Sequence, residues 1–204
     1  KVFGLTAEAV RMPSVILSVI SVFTTFFLTR ELLKKGKNRG AVLFYIPLFS
    51  AFLLAISPWH VYISRLGHEV NASLSFLIFG IFFFLYFVNR VNDQNRSFYS
   101  KYSIILAAVF LSLSFSSYQS TKVVVPLIVL SLIIVYAKKL ILDKRRVLLA
   151  LGAGILFTIP ILLSITSPEA LIRFKGTNIF NSSTQRYEQS AKKILEEKNK
   201  GNLI

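Results

Sequence analysis

The sequence predicts an all-α integral membrane protein, a bundle of six transmembrane helices whose unusual polar residues sit in the connections on one side. Three observations lead there. Hydrophobic residues make up 54% of the 204 positions and mean hydropathy is +0.62, whereas soluble domains stay near 45–50% apolar even with glycine counted. These residues gather into long runs, and a helix needs about 20 of them to cross roughly 30 Å of hydrocarbon. Finally, the 24 Lys and Arg outnumber the 9 Asp and Glu, yet the positive charges punctuate the apolar runs and form no single patch.

The runs are Pro13–Leu33, Ala41–Pro58, Val70–Val88, Ser103–Ser117, Val123–Ala137 and Val147–Thr166. The fourth and fifth are short, so their flanks are expected at headgroup level or beside a wet cavity. The layout is then a juxtamembrane segment 1–12, a membrane region 13–166 and a polar segment 167–204. The sole methionine is Met12 and the chain opens on Lys1, which reads as a piece of a longer protein. The basic connections alternate. Arg30, Lys34, Lys35, Lys37 and Arg39 follow the first run; Arg90, Arg96 and Lys101 the third; Lys138, Lys139, Lys144, Arg145 and Arg146 the fifth. Lys/Arg-rich loops stay cytoplasmic, so the other connections are assigned to the extracytoplasmic face.

Several function classes fall away. With no cysteine there is no disulfide framework, thiol nucleophile or thiolate metal site. Two histidines and scattered acids do not supply a metal cage, so no metal or other cofactor is expected. The dispersed charge disfavours nucleic acid as a partner. Gly152-Ala153-Gly154 is expected to permit close helix packing.

The chemistry is expected in the extracytoplasmic connections. Ionisable groups at a membrane boundary generally face a cavity or a partner. Pro13 is expected to start the first helix, setting Arg11 beside its positive end, an anion-binding position. The segment Ser57-Pro58-Trp59-His60-Val61-Tyr62-Ile63-Ser64-Arg65-Leu66-Gly67-His68-Glu69 is the densest. A helix beginning near Ile63 would put Arg65 and Glu69 four apart on one face. They form either a plain ion pair or an acid held by a cation at a cavity mouth. His60 and His68 read as interfacial groups. In Ser116-Ser117-Tyr118-Gln119-Ser120-Thr121-Lys122, Lys122 suits a phosphate with Tyr118 and Gln119 beside it, or else snorkels. Asn71-Ala72-Ser73 and Asn181-Ser182-Ser183 match the N-glycosylation triplet, and Ser190–Lys200 reads as a charged helix.

These residues resemble a family. Glu8-Ala9-Val10-Arg11-Met12-Pro13-Ser14, Ser57-Pro58-Trp59-His60 with Ser64-Arg65 and Glu69, Ser117-Tyr118-Gln119-Ser120-Thr121-Lys122 with Pro126, and Pro168-Glu169 with Arg173 and Asn178-Ile179-Phe180 are similar to successive outer segments of polyprenyl-phosphate-sugar-dependent glycosyltransferases. These are the relatives of dolichyl-phosphate-mannose protein mannosyltransferases and the lipid A aminoarabinose transferase. The resemblance implies a GT-C type fold and an extracytoplasmic cavity at the membrane surface. It implies a polyprenyl-phosphate-linked sugar donor, a protein, lipid or glycan acceptor, and the family's main acidic residue upstream of Lys1. By the same resemblance Glu69 is the catalytic candidate. Arg11 holds the lipid phosphate, and Arg65, His60, Tyr118 and Lys122 complete the binding set. The rival reading is a transporter or flippase-like bundle, which would carry polar residues at mid-membrane on broken helices.

Overall fold

The computed structural model describes residues 7–34, 40, 42–93, 95–165, 192 and 195. The predicted features at Glu169, Arg173, Asn178–Phe180 and Asn181–Ser183, most of Ser190–Lys200, and Lys35, Lys37 and Arg39 lie outside them. The chain divides into two compact units, Lys1–Thr158 and Ile159–Ile204, and the description below concerns the first.

Seven α-helices are found among the described residues: α1 (Ala7–Leu33), α2 (Val42–Ile56), α3 (Pro58–Leu66), α4 (Glu69–Val88), α5 (Phe98–Ser117), α6 (Thr121–Leu140) and α7 (Lys144–Ile165). A 3-10 turn, Ile141–Asp143, joins the last two. By length and apolarity four stretches can cross a membrane: Arg11–Leu33, Glu69–Val88, Phe98–Ser117 and Thr121–Ile159. The pair formed by Leu43–Ile56 and Pro58–Leu66, bent by 54°, makes a fifth if taken as one span.

Three expectations about helix ends need correction. First, α1 starts at Ala7, with Pro13 inside it. Arg11 therefore lies within a helix already under way and not beside the positive end of one beginning at Pro13. Second, the second apolar run does not end at Pro58. The break falls at Ser57, and Pro58 opens a separate helix, where its missing N–H is no loss. Third, α5 and α6 each have 20 residues, about 30 Å at 1.5 Å per residue. Their first or last turns are built from Tyr99, Lys101 and Tyr102 or from Lys138 and Lys139, which a purely apolar reading trims away. Such side chains send polar tips toward headgroups.

Contacts give each helix a direction. At one end of α1, Asn71 of α4 donates from Nδ2 to Ser14 O (2.8 Å) and Ser14 Oγ (2.7 Å), and Ser18 Oγ donates to Asn71 Oδ1 at 2.9 Å. At the other end, Asn89 Nδ2 donates to Glu31 O at 2.8 Å and Arg90 Nη2 to Glu31 Oε1 at 3.0 Å. Hence α1 and α4 run in the same direction. The start of α4 meets the end of α5 through Ser114 Oγ, which donates to Ser73 O at 2.9 Å, so α5 runs back. Thr121 Oγ1 donates to Ser114 O at 2.8 Å and Lys139 Nζ to Val88 O at 2.8 Å, so α6 follows α4. Asp143 pairs with Arg96, ahead of α5, and Ser112 Oγ donates to Gly154 O at 3.1 Å further along. Thus α7 runs beside α5 and opposite to α6, and the chain reverses at Ile141–Asp143.

Packing is uneven along the bundle. The apolar cluster of Phe84, Leu85, Phe87, Val88, Val91, Ile104, Ala107, Leu140 and Ala150 fills the half nearer Glu31. The half nearer Glu69 is joined by hydroxyls and amides. Gly80 lets α5 approach: a Cβ there would stand 2.7 Å from Leu111 Cγ and 3.2 Å from its backbone N. Of the two glycines in 152–154, only Gly154 meets another helix, since a Cβ on Gly152 would find nothing within 4 Å.

Two stability predictions arise. Gly80→Leu is expected to destabilise by about 1–3 kcal/mol, the usual effect of overpacking. Asn71→Ala is expected to lose about 1–2 kcal/mol, at the upper range for interhelical hydrogen bonds in membranes. Thermal unfolding of the full protein in nanodiscs checks both, and an unchanged midpoint for either variant would contradict the packing described.

Candidate functional site

Helix directions settle which residues share an end of the bundle. The start of α1, the α2–α3 bend, the start of α4 and the α5–α6 corner lie at one end, which carries Arg11, His60, Arg65, His68, Glu69, Tyr118 and Lys122. The opposite end carries Lys34, Arg90, Arg96, Lys101, Lys138, Lys139, Lys144, Arg145 and Arg146.

Within the first end the residues divide into three environments. Arg11 of α1 and Arg65 of α3 line one hollow with Ile56, Pro58, Val61, Tyr62 and Leu66, about 530 Å³ in volume. Both arginines are exposed, and among the described side chains neither is ion-paired. Two guanidiniums over an otherwise apolar wall suit a phosphate or carboxylate attached to something greasy. The hollow exists because of the bend. Pro58 starts α3 at a fresh angle, and the stripe Pro58, Val61, Tyr62, Arg65 repeats at helical spacing on one face.

A second environment lies at the α5–α6 corner. The Tyr118 and His68 rings meet edge to face, with centroids 6.4 Å apart. Lys122, in the first turn of α6, is half-buried. Neither Tyr118 nor Lys122 lines the arginine hollow. Three hydroxyls of this corner are spent on backbone carbonyls. Ser116 and Ser117 donate to the carbonyls of Ser112 and Leu113, and Thr121 to those of Ser114 and Tyr118.

Third, His60 points from α3 into the protein. It is only 8% exposed, and neither ring nitrogen has a partner. Ser64, one turn on, is buried on the same face, opposite the arginine stripe.

Arg65 and Glu69 do not share a helix face. Gly67 closes α3 in the left-handed conformation, φ 70°, which glycine adopts without a Cβ penalty. His68 then caps α4 in an extended conformation, its Nδ1 accepting the Val70 N–H at 3.4 Å. Glu69 is the exposed first residue of α4, where a carboxylate is stabilised by the helix dipole. The intrahelical Arg65–Glu69 pair is thus replaced by two charges on successive helices. No three His, Asp or Glu converge as metal ligands among the described residues.

Asn71 is no glycan acceptor in the folded protein. Its side chain is 1% exposed and its amide is fully engaged with Ser14 and Ser18.

Sequence reasoning missed the acids at the opposite end. Glu31, 6% exposed, takes Lys34 at 2.5 Å as well as Arg90, while Arg90 also lies over the Tyr86 ring at 3.6 Å. Asp143 holds both Arg96 and Arg146. The available signal was an acid set three residues from a base in each otherwise basic stretch.

A comparison with family models matches residues 1–163 to dolichyl-phosphate-mannose-protein mannosyltransferase. No curated protein matches, and no solved structure does. The chain belongs to that family, and is a multi-pass membrane glycosyltransferase of the GT-C kind. The buried Asn71 is expected to be unmodified in the cellular protein; mass spectrometry of the peptide containing it should find the bare asparagine, and a glycan there would refute the Asn71–Ser14 contact.

Proposed function

We propose that this glycosyltransferase draws its sugar from a polyprenyl-phosphate donor at the Glu69 end of the bundle, and that this end faces away from the cytoplasm. The acceptor is a protein, lipid or glycan hydroxyl. One observation carries the reading: Arg11 and Arg65, from two helices, line a single hollow that is apolar elsewhere. That chemistry matches a lipid phosphate. The tail stays in hydrocarbon while the headgroup meets two cations at the boundary.

Sidedness supports the orientation. The opposite end concentrates lysine and arginine, as cytoplasmic ends do. The reversal at Ile141–Asp143 supports taking Thr121–Ile159 as two crossings, since 39 residues in one straight helix would span about 58 Å. With the bent α2–α3 pair as one crossing, six crossings result.

In the transfer, the bond between the sugar's anomeric carbon and the phosphate oxygen breaks, and a bond from the acceptor oxygen forms. Negative charge grows on the departing phosphate, where Arg11 and Arg65 stabilise it. The acceptor hydroxyl loses its proton to a carboxylate; Glu69 is the candidate on this chain, exposed at a helix start on the same end. Lys122 and Tyr118 stand at the same end, at the α5–α6 corner and outside the arginine hollow. His60 is buried on the opposite face of α3 and does not line the arginine hollow, so its place in the binding set rests on the family resemblance.

Glu69→Gln and Arg11→Ala are expected to lower transfer by the full-length enzyme by about 10²-fold or more, the scale of removing an acid–base or oxyanion partner. Normal rates in well-folded variants would remove both assignments.

A further inference from the structure

His68 occupies the cap position immediately ahead of Glu69, and its Nδ1 accepts the Val70 N–H at 3.4 Å. In the neutral ring the hydrogen therefore sits on Nε2, which leaves Nδ1 a lone pair to accept with. The same ring meets Tyr118 edge to face, with 6.4 Å between centroids. Tyr118 is in turn tied into the α5–α6 corner, where its carbonyl accepts from Thr121 Oγ1 at 2.7 Å. The imidazole is thus held from two sides, by the first turn of α4 and by the corner.

We infer that His68 is a positioning residue for Glu69 and works only while its imidazole is neutral, so that acid slows sugar transfer. The inference rests on the reading of Glu69 as the base. A cap made by Ser, Thr or Asn keeps its acceptor oxygen across about pH 5–8, whereas an imidazole changes charge within that range. A proton arriving on Nδ1 takes the lone pair that held the Val70 N–H. The new N–H and its charge then stand against the unpaired N–H groups and positive dipole end of α4, a place that repels cations. The ring must leave the cap. His68 and Glu69 are both exposed, so the proton can arrive and the ring can swing.

The charged and titratable groups on the elements packed at this end are Arg11 of α1, His60 and Arg65 of α3, Glu69 of α4, Tyr118 after α5 and Lys122 of α6. Glu69 is the one acid among these described side chains, so an imidazolium released from the cap finds its counter-charge there. A carboxylate paired with a cation is a weaker base, and a helix start without its cap holds Glu69 less firmly. Acid therefore acts on the base twice. His60 does not offer the same device: neither of its nitrogens has a partner, so no contact depends on its lone pairs.

The test uses the full-length enzyme in nanodiscs and two readouts. Hydrogen exchange of the first turn of α4, expressed as protection relative to the free-peptide rate at each pH, is the first. Protection is expected to fall about fivefold from about pH 7.5 to about pH 5.5, the scale of one lost cap across the range in which imidazole titrates. In His68→Asn, whose amide oxygen caps without titrating, protection should stay level. The second readout is transfer. Here kcat should fall about fivefold over the same interval, while His68→Asn keeps its rate and His68→Ala is about fivefold slow at both ends. KM for the donor should not move in either variant, since His68 does not line the arginine hollow. His60→Gln should leave the acid limb in place.

Protection that ignores pH, or an acid limb that persists in His68→Asn, would overturn the inference. A cap that opens with acid, in an enzyme whose transfer survives both His68→Ala and Glu69→Gln, would keep the titrating cap and reject the catalytic reading of Glu69. Transfer lost in Glu69→Gln but level with pH in the unaltered enzyme would keep Glu69 and reject the role of His68.

Discussion

The carboxamide of Asn71 sets the register on which the rest of this bundle depends. It accepts from Ser18 and donates to Ser14, so both of its polar atoms are used on α1. Hydrocarbon offers no competing partner, and a shift by one residue would leave buried donors and acceptors unpaired. A second pin, Glu31 with Asn89 and Arg90, holds the other end of the same two helices. Two separated polar contacts on one helix pair forbid sliding. Because α1 cannot slide, Arg11 stands at the level of the α2–α3 bend and of Glu69.

The two halves of the bundle use different physics. Near Glu31, large apolar side chains pack around Phe87 and Val88, both 0% exposed, with paired charges closing the rim. Near Glu69, Ser73, Ser114, Thr121, Ser112 and Thr158 exchange hydroxyl and carbonyl bonds. Small hydroxyl residues let backbones come close in lipid, where association gains little from hydrophobicity. They also leave little bulk at this end, where α3 tilts and the arginine hollow opens. Packing that is stiff at one rim and small at the other suits the proposal that the chemistry lies at a single rim.

The sequence disclosed some of this and concealed the rest for identifiable reasons. Runs of apolar residues showed where α1, α2, α4 and α7 lie, because hydrocarbon demands them. The ends were harder to read. Tyr102 and Lys139 belong to helices although their tips are polar. A single left-handed glycine, Gly67, parted Arg65 from Glu69, and no periodicity announces that turn. Asn71 was visible only as the first residue of a glycosylation triplet, since its partners Ser14 and Ser18 lie more than fifty residues away. Arg11 and Arg65 were each read as candidates, but their common hollow required knowledge of how α1 crosses the bend. Glu31 and Asp143 disappeared into basic stretches whose net charge was read first.

The bend itself decides what the arginine end can bind. Had α2 continued straight through Ser57, Arg65 would have risen along the axis and away from Arg11. A 54° turn at that point instead lays α3 across the rim, and nine residues of helix-forming sequence become a ledge. Pro58 makes the turn cheap, since a first-turn proline forfeits no hydrogen bond, and Gly67 returns the chain to a spanning direction. Trp59 and Tyr62, 75% and 59% exposed, suit the boundary at which such a ledge lies, one face toward headgroups and one toward hydrocarbon. On the proposed reading, a guanidinium on that ledge would meet a lipid's phosphate at headgroup depth. The cation thus needs neither burial, which would demand a counter-charge, nor full solvation, which would weaken its hold.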